Sequence, residues 1–327
     1  MKKAKVWVVM LVLSLLVGLV GCGKSEGPSA PATGGETAGG SGSEDKVKIA
    51  YIVKALTDQF WIDMQTGALE TATELGVDLA FQAPEKETNV ETQIQYMENA
   101  IAGGFDAIIL SAADSKALNP TIVKANQAGI PVILVNDTID LDALAADGGK
   151  VETYVGIDQY EAASLAGKYA VETIDGGKVA VLEGAAGVLA GEQRMNGFLD
   201  QLTDNFEVVA SQTANWDRNQ AFNVMQNILT SQPDIKVVWA VSAEMGQGAI
   251  QAIEQAGLAG QISVFDFDAS ADDMEAIKAG TLVGTVAQYP NLQAKAAIEA
   301  ALAAIEGQTL EAHTKTLAEL ITIDNIQ

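Results

Sequence analysis

The run DAIILSA (Asp106–Ala112) is followed, after 18 residues, by PVILVN (Pro131–Asn136). Both runs are apolar through the middle, without the in–out alternation of a strand that has one wet face. Such runs belong to strands covered on both sides, as in a parallel sheet sandwiched by helices. The connection is too long for a hairpin and long enough for a crossover helix. The same grammar recurs along the chain in VKIAYIV (47–53), VDLAFQA (77–83), TYVGID (153–158) and KVAVLEG (178–184). It continues in EVVASQTA (207–214), VVWAVS (237–242), ISVFDFD (262–268) and GTVAQY (284–289). Helical spacing fills most of the gaps. Ile94, Met97 and Ile101, for example, put three apolar side chains on one helix face. Gly103-Gly104 and Gly176-Gly177 stand where such helices stop before the next strand, a place that favours positive φ. The fold class is therefore α/β with parallel sheets, and 327 residues suggest two lobes.

Composition narrows the functions. The chain is 48% hydrophobic, enough for sizeable cores, but only 6% aromatic, so each aromatic residue is informative. Its formal net charge is -24, and its only arginines are Arg194 and Arg218. So acidic a surface repels phosphate backbones, which argues against nucleic acid as a partner. One cysteine, Cys22, and one histidine, His313, provide no disulfide framework, zinc site or Cys–His dyad. Neither GxGxxG nor GxxxxGK[ST] occurs at a strand–helix junction, and the glycine-rich GAAGVLAG (184–191) lacks the P-loop lysine. No cofactor and no metal are expected. His313, in a polar stretch near the C-terminus, reads as a surface residue, and Arg218 reads as half of a structural ion pair.

The first residues read as an export signal. MKKAK (1–5) carries three lysines and precedes the apolar run Val6–Val20. That run is shorter than the roughly 20 residues a permanent membrane span needs. It ends in LVGC (19–22), which resembles the bacterial lipobox, whose cysteine is lipidated, making Cys22 the expected lipid anchor. Residues 23–45, GKSEGPSAPATGGETAGGSGSED, have no apolar periodicity and cannot bury enough surface to offset their ordering entropy. They read as a flexible tether.

In doubly wound sheets, ligands sit beyond the carboxyl ends of the strands. The polar and aromatic residues there are Asp58, Phe60 and Trp61 after the first strand, Ser111 and Asp114 after the third, and Asn136 and Asp137 after the fourth. Later strands contribute Glu192, Trp216, Ser242, Asp268 and Gln288. Phe60 and Trp61 are adjacent in a segment that reads as helix, where neighbours point about 100° apart, so one buried stripe does not hold both comfortably.

ANQAGIPVILVN (125–136), ASQTANWDRNQAFNVMQNIL (210–229), AEMGQGAIQAIEQAG (243–257), FDFDAS (265–270) and GTVAQYP (284–290), in this order, resemble type I periplasmic binding proteins. These are the solute-binding components of ABC importers, and the resemblance is to the ribose-binding branch, over nearly all of residues 46–327. It implies two Rossmann-like lobes, 46–157 plus 289–317 and 158–288 plus 318–327. They would be joined by three crossings near Ile157-Asp158, Gln288-Tyr289 and Leu317-Ala318, and would close on a ligand between them. It implies that Asp58 stands where the branch has an Asn that bonds sugar hydroxyls, and that Phe60 and Trp61 stack on a sugar ring from one lobe and Trp216 from the other. Such plates suit a ring with apolar C–H faces and a belt of hydroxyls.

Several positions depart from the branch. Asn136-Asp137 stand where it has Asp-Arg, and Glu192 where it has a binding arginine; Arg194 matches an arginine read as structural. Ser242 replaces a binding Asn, while Asp268 and Gln288 are kept. Acids have replaced cationic donors, so up to four carboxylates could face one cleft. Either some of them turn away or pair with Lys54 or Lys116, leaving a site for a neutral monosaccharide, polyol or cyclitol, or the ligand is a cationic polyhydroxylated compound such as an amino sugar. The expected protein is a monomeric, non-enzymatic binding lipoprotein that serves an ABC permease. A ligand-presenting sensor module for a chemoreceptor or kinase is the alternative.

Overall fold

The computed structural model describes residues 46–326; the expected signal, lipid anchor and tether lie outside the described residues. The first half runs β1 (Lys48–Ile52), α1 (Gln59–Leu75), β2 (Asp78–Gln82), α2 (Val90–Ala102), β3 (Ala107–Leu110), α3 (Asn119–Gln127), β4 (Val132–Val135), α4 (Leu141–Ala146) and β5 (Thr153–Gly156). The second half repeats the pattern with α5 (Gln159–Thr173), β6 (Gly177–Glu183), α6 (Leu189–Leu199), β7 (Phe206–Thr213), α7 (Arg218–Ser231), β8 (Ile235–Ala240), α8 (Ala243–Gln255), β9 (Ser263–Phe267), α9 (Ala271–Ala279) and β10 (Gly284–Ala287). The chain ends in α10 (Pro290–Ile305), β11 (His313–Lys315) and β12 (Glu319–Thr322). Among these helices, none is long and apolar enough to cross a membrane.

Two six-stranded sheets result, in the orders β11-β5-β4-β3-β1-β2 and β12-β10-β9-β8-β6-β7. The apolar strands are explained by β1. Its pleat sends Ile49 and Tyr51 to one face, against Phe60, Trp61 and Met64 of α1 and Ile298 of α10. It sends Ala50 and Ile52 to the other, against Met97 of α2 and Ile122 of α3. In the second lobe the rings of Phe198 and Trp239 stack at 4.6 Å inside a single continuous core. Helix α2 stops because Gly104, at φ 65°, takes a conformation that a side chain would penalise.

The chain passes between the sheets after β5, after β10 and after β11. Strand β12 departs from the expected all-parallel pattern, pairing antiparallel to β10 with Glu319 opposite Ala287. The cause is the route of the chain. It enters the second lobe from the hinge, at the carboxyl end of β10, and can only run back along that strand. His313 departs as well. It is half-buried on β11, where its Nε2 meets the Gly156 carbonyl at 2.9 Å and its ring lies 4.8 Å from that of Tyr154.

Strand order reverses between β1 and β3 and again between β6 and β8, the switch points where such sheets leave a crevice. Beneath the second crevice, Asp266 on β9 is fully buried and both its carboxylate oxygens lack hydrogen-bond partners. Burial, and then the charge of Asp273, hold its carboxyl well above the ordinary range. Burial pushes Asp273 up to about 6. The unfolded chain releases these protons near the ordinary aspartate value of about 3.9, so between the two values the folded state binds more protons and stability falls as pH rises. The loss is about 1.4 kcal/mol per pH unit for each excess proton. Denaturant midpoints taken between about pH 4 and pH 7 should therefore show a shallower decline in Asp266→Asn than in the parent chain. Parallel profiles would mean that Asp266 is ionised in the fold.

Candidate functional site

The loops at the two switch points face each other around one cramped cavity with about 20 Å³ of free space, roughly what one water needs. Nine of the twelve strand-end residues singled out in the sequence line it, Asp58, Phe60, Trp61, Asn136, Asp137, Trp216, Ser242, Asp268 and Gln288, while Ser111, Asp114 and Glu192 do not. Lys54, Glu87 and Arg194 complete the wall. The lobes also touch beside the cavity. The Ser115 amide donates to the Gly187 carbonyl at 2.9 Å, and the Leu189 amide donates to Ser115 Oγ at 3.0 Å.

Helix caps place several of these groups. Asp58 is the N-cap of α1 and accepts from the Phe60 amide at 2.8 Å, which pins one carboxylate oxygen. Ser242 caps α8 in the same way. Phe60 and Trp61 follow Asp58 in the first turn, and both are buried. Their rings meet edge to face at 4.9 Å and 87°, so one indole and one phenyl cover two adjoining directions that a single stripe does not. Across the cleft, Trp216 fits because position 184 is glycine. A Cβ on Gly184 would lie 2.1 Å from Cζ2 of that indole. Asn136, Trp216 and Asp268 all have positive φ, turning their side chains at the ends of strands or loops.

The polar groups form two connected sets. In the first lobe, the Lys54 ammonium pairs with Glu87 and Asp137, each at 3.1 Å. Glu87 also accepts from Trp61 Nε1 at 2.6 Å, and Asp137 accepts from Ser111 Oγ at 2.6 Å. Burial pulls the Lys54 ammonium down, but the charges of Asp137 and Glu87 outweigh it, and the net shift is upward. The second set spans the hinge. Asn136 Nδ2 donates to Gln288 Oε1 at 2.7 Å, Gln288 Nε2 donates to Asp268, and Asp268 faces Arg194 at 3.5 Å. Arg194 is anchored further by Gln159 at 2.8 Å and the Val241 carbonyl at 2.9 Å.

Asp58 and Asp268 approach the cavity from opposite lobes. Burial, then the charges of Asp268 and Glu87, raise the Asp58 carboxyl well above its usual range. Burial raises Asp268 too, against the pull of Arg194 and the hydrogen bond from Gln288. Carboxylate oxygens placed here can accept hydrogen bonds from the hydroxyls of a ligand.

Glu192 is the correction. It is exposed in the first turn of α6 and does not line the cavity. Arg194 does. Two residues along a helix turn the side chain by about 200°, so only one of the pair can point inward, and the guanidinium is the one with buried partners. Lys54 and Glu87 were not singled out as site residues. Lys54 directly follows an apolar strand, which was the available signal, whereas Glu87, in the connection after β2, had none. Lys116 pairs instead with Asp140 at 3.0 Å on the surface. Arg218 forms the expected ion pair, to Glu244 at 2.7 Å and Asp272 at 2.9 Å.

Residues 49–309 match the model of the periplasmic binding protein domain. The chain belongs to this family. It is 31% identical over 245 residues to the D-allose-binding periplasmic protein of Escherichia coli (strain K12), covering 74% of this chain and 79% of that one. It is 33% identical over 272 residues to the ribose import binding protein RbsB of Bacillus subtilis (strain 168), covering 83% and 86% respectively. Among solved structures, an ABC transporter periplasmic solute-binding protein from Actinobacillus succinogenes 130z with bound D-allose superposes with a TM-score of 0.81 at 38% identity. The match covers 85% of this chain and 98% of that one. Family membership implies an exported protein, and the relatives are solute-binding proteins rather than enzymes.

Proposed function

We propose that the chain is the solute-binding component of an ABC importer that captures a monosaccharide, or a related polyol or cyclitol, and delivers it to a membrane permease. The observation that carries this reading is the set of side chains that converge between two α/β lobes, aromatic rings together with carboxylate, amide and hydroxyl groups from both lobes. Those groups suit a ligand with many hydroxyls and a small apolar surface. Relatives named for ribose and allose, and a similar structure holding D-allose, support the same class. Lys54 and Arg194 already face Glu87, Asp137 and Asp268, which supports a neutral ligand, because most acids of the site need no further cation.

The ligand touches groups of both lobes only when they are closed, so binding favours the closed arrangement. The three passages between the sheets would act as the hinge, with residues 46–157 plus 289–317 moving against 158–288 plus 318–327. A thermal-shift screen of the full chain against pentoses, hexoses, polyols, cyclitols and amino sugars tests the assignment. A true ligand at 100 times its dissociation constant should add about 2.7 kcal/mol of stability. A screen in which only amino sugars stabilise the chain, with an effect weakened by salt, would replace the neutral ligand with a cationic one. No stabilisation by any of these classes would overturn the reading.

The lipobox-like LVGC supports attachment to the outer face of a membrane through lipidated Cys22. Cys22→Ala should move the processed protein from the membrane pellet to the soluble fraction. Continued pelleting would rule out the lipid anchor.

A further inference from the structure

We infer that Ser115 is a positioning residue for closure: its hydroxyl, on the first lobe, supplies the cap that helix α6 of the second lobe lacks, so that this cap is gained only when the lobes meet. This rests on the proposed clamp and adds a contact between the lobes themselves. Helices α7, α8 and α9 begin at Asp217, Ser242 and Ser270, whose side chains accept from amides of their own first turns. Helix α6 begins at Val188, whose side chain has no oxygen to offer. The Leu189 amide, the first of that helix, donates instead to Ser115 Oγ at 3.0 Å. Such an amide has no partner within its own helix, because no turn precedes it.

The loop that carries Ser115 is fixed by its own lobe. Asp114 Oδ1 accepts from the amides of Lys116 and Ala117 at 2.8 and 2.7 Å, and the Ser115 carbonyl accepts from the Asp140 amide at 2.9 Å. The remaining polar groups of Ser115 face across the cleft. Its amide donates to the Gly187 carbonyl at 2.9 Å, and among the described residues its hydroxyl bonds Leu189 alone. The opposing loop is shaped for this approach. Gly187 takes φ 88°, and a Cβ there would lie 2.8 Å from Asp114 Oδ2 of the first lobe, so a side chain would meet both strain and a carboxylate. Opening the lobes separates the two loops and returns the Leu189 amide to water. Ser115, Gly187 and Leu189 all lie outside the cavity lining. The contact therefore acts on the balance between open and closed lobes, and through that balance on affinity, without touching the ligand.

Amide hydrogen exchange and pulsed dipolar spectroscopy on the full chain test this together. In the absence of added solute, Ser115→Ala should speed exchange of the Leu189 amide by about fivefold or more, the shift in equilibrium that loss of a helix cap brings. Interior amides of α6, such as that of Met195, should keep their rates, which a general loss of stability would not allow. Spin labels at Glu91 and Asn219, with Cys22 replaced, stand on exposed first turns of α2 and α7. These helices follow β2 and β7, the strands farthest from the crossings in each sheet. Ser115→Ala should move that pair toward longer separations. Unchanged Leu189 exchange would overturn the inference, and so would label distances that respond to a mixture of ribose, allose and xylitol but not to Ser115→Ala. Label distances that respond neither to the substitution nor to that mixture would instead overturn the clamp on which it stands.

Discussion

A charge taken out of water must be paired or neutralised, and the cleft of this protein encloses six ionisable side chains: Lys54, Asp58, Glu87, Asp137, Arg194 and Asp268. The rest of the site follows from how they are accommodated. Two carboxylates are matched by Lys54, one faces Arg194, and Asp58 is pinned by the start of its own helix. Each of these pairings lies within one lobe, Lys54, Glu87 and Asp137 in the first and Arg194 and Asp268 in the second, whereas the approach of Asp58 to Asp268 crosses between them. The upward shift of Asp58 owes part of its size to that approach.

The hinge enters the same network. Gln288 stands in the passage from β10 to α10, and it holds Asn136 with one end of its amide and Asp268 with the other. Gln159, just past the first crossing, links the Asn136 carbonyl at 2.9 Å to Arg194. Groups that line the cavity are thus bonded directly to the segments about which the lobes would turn. On the proposed function, a ligand that engages Asn136 or Asp268 would act on the hinge directly, with no longer path needed.

Much of this was legible in the sequence, for identifiable reasons. Continuous apolar runs separated by helical spacing leave few alternatives to parallel sheets covered on both faces, and the strand-end rule then points to Asp58, Asn136, Ser242 and Asp268. The antiparallel β12 was not legible, because its direction comes from where the chain re-enters the lobe and not from its own residues. Nor was the choice between Glu192 and Arg194. Two polar residues on one helix differ in rotation, and a shift of 200° is invisible until the helix is docked. Lys54 was hidden by its type, since a lysine after a strand ordinarily reads as solvated. Its burial depends on Glu87 and Asp137, 33 and 83 residues further along the chain.

The central claim is that the two lobes clamp a small solute between them. Spin labels at two exposed positions on either side of the mouth, Lys116 and Glu192, test it directly, with Cys22 replaced so that the labels are unique. Pulsed dipolar spectroscopy on the full chain would then give the distribution of distances between the lobes. With a saturating ligand from the screen the distribution should shorten and narrow relative to the ligand-free protein. The same broad distribution with and without that ligand would contradict the account.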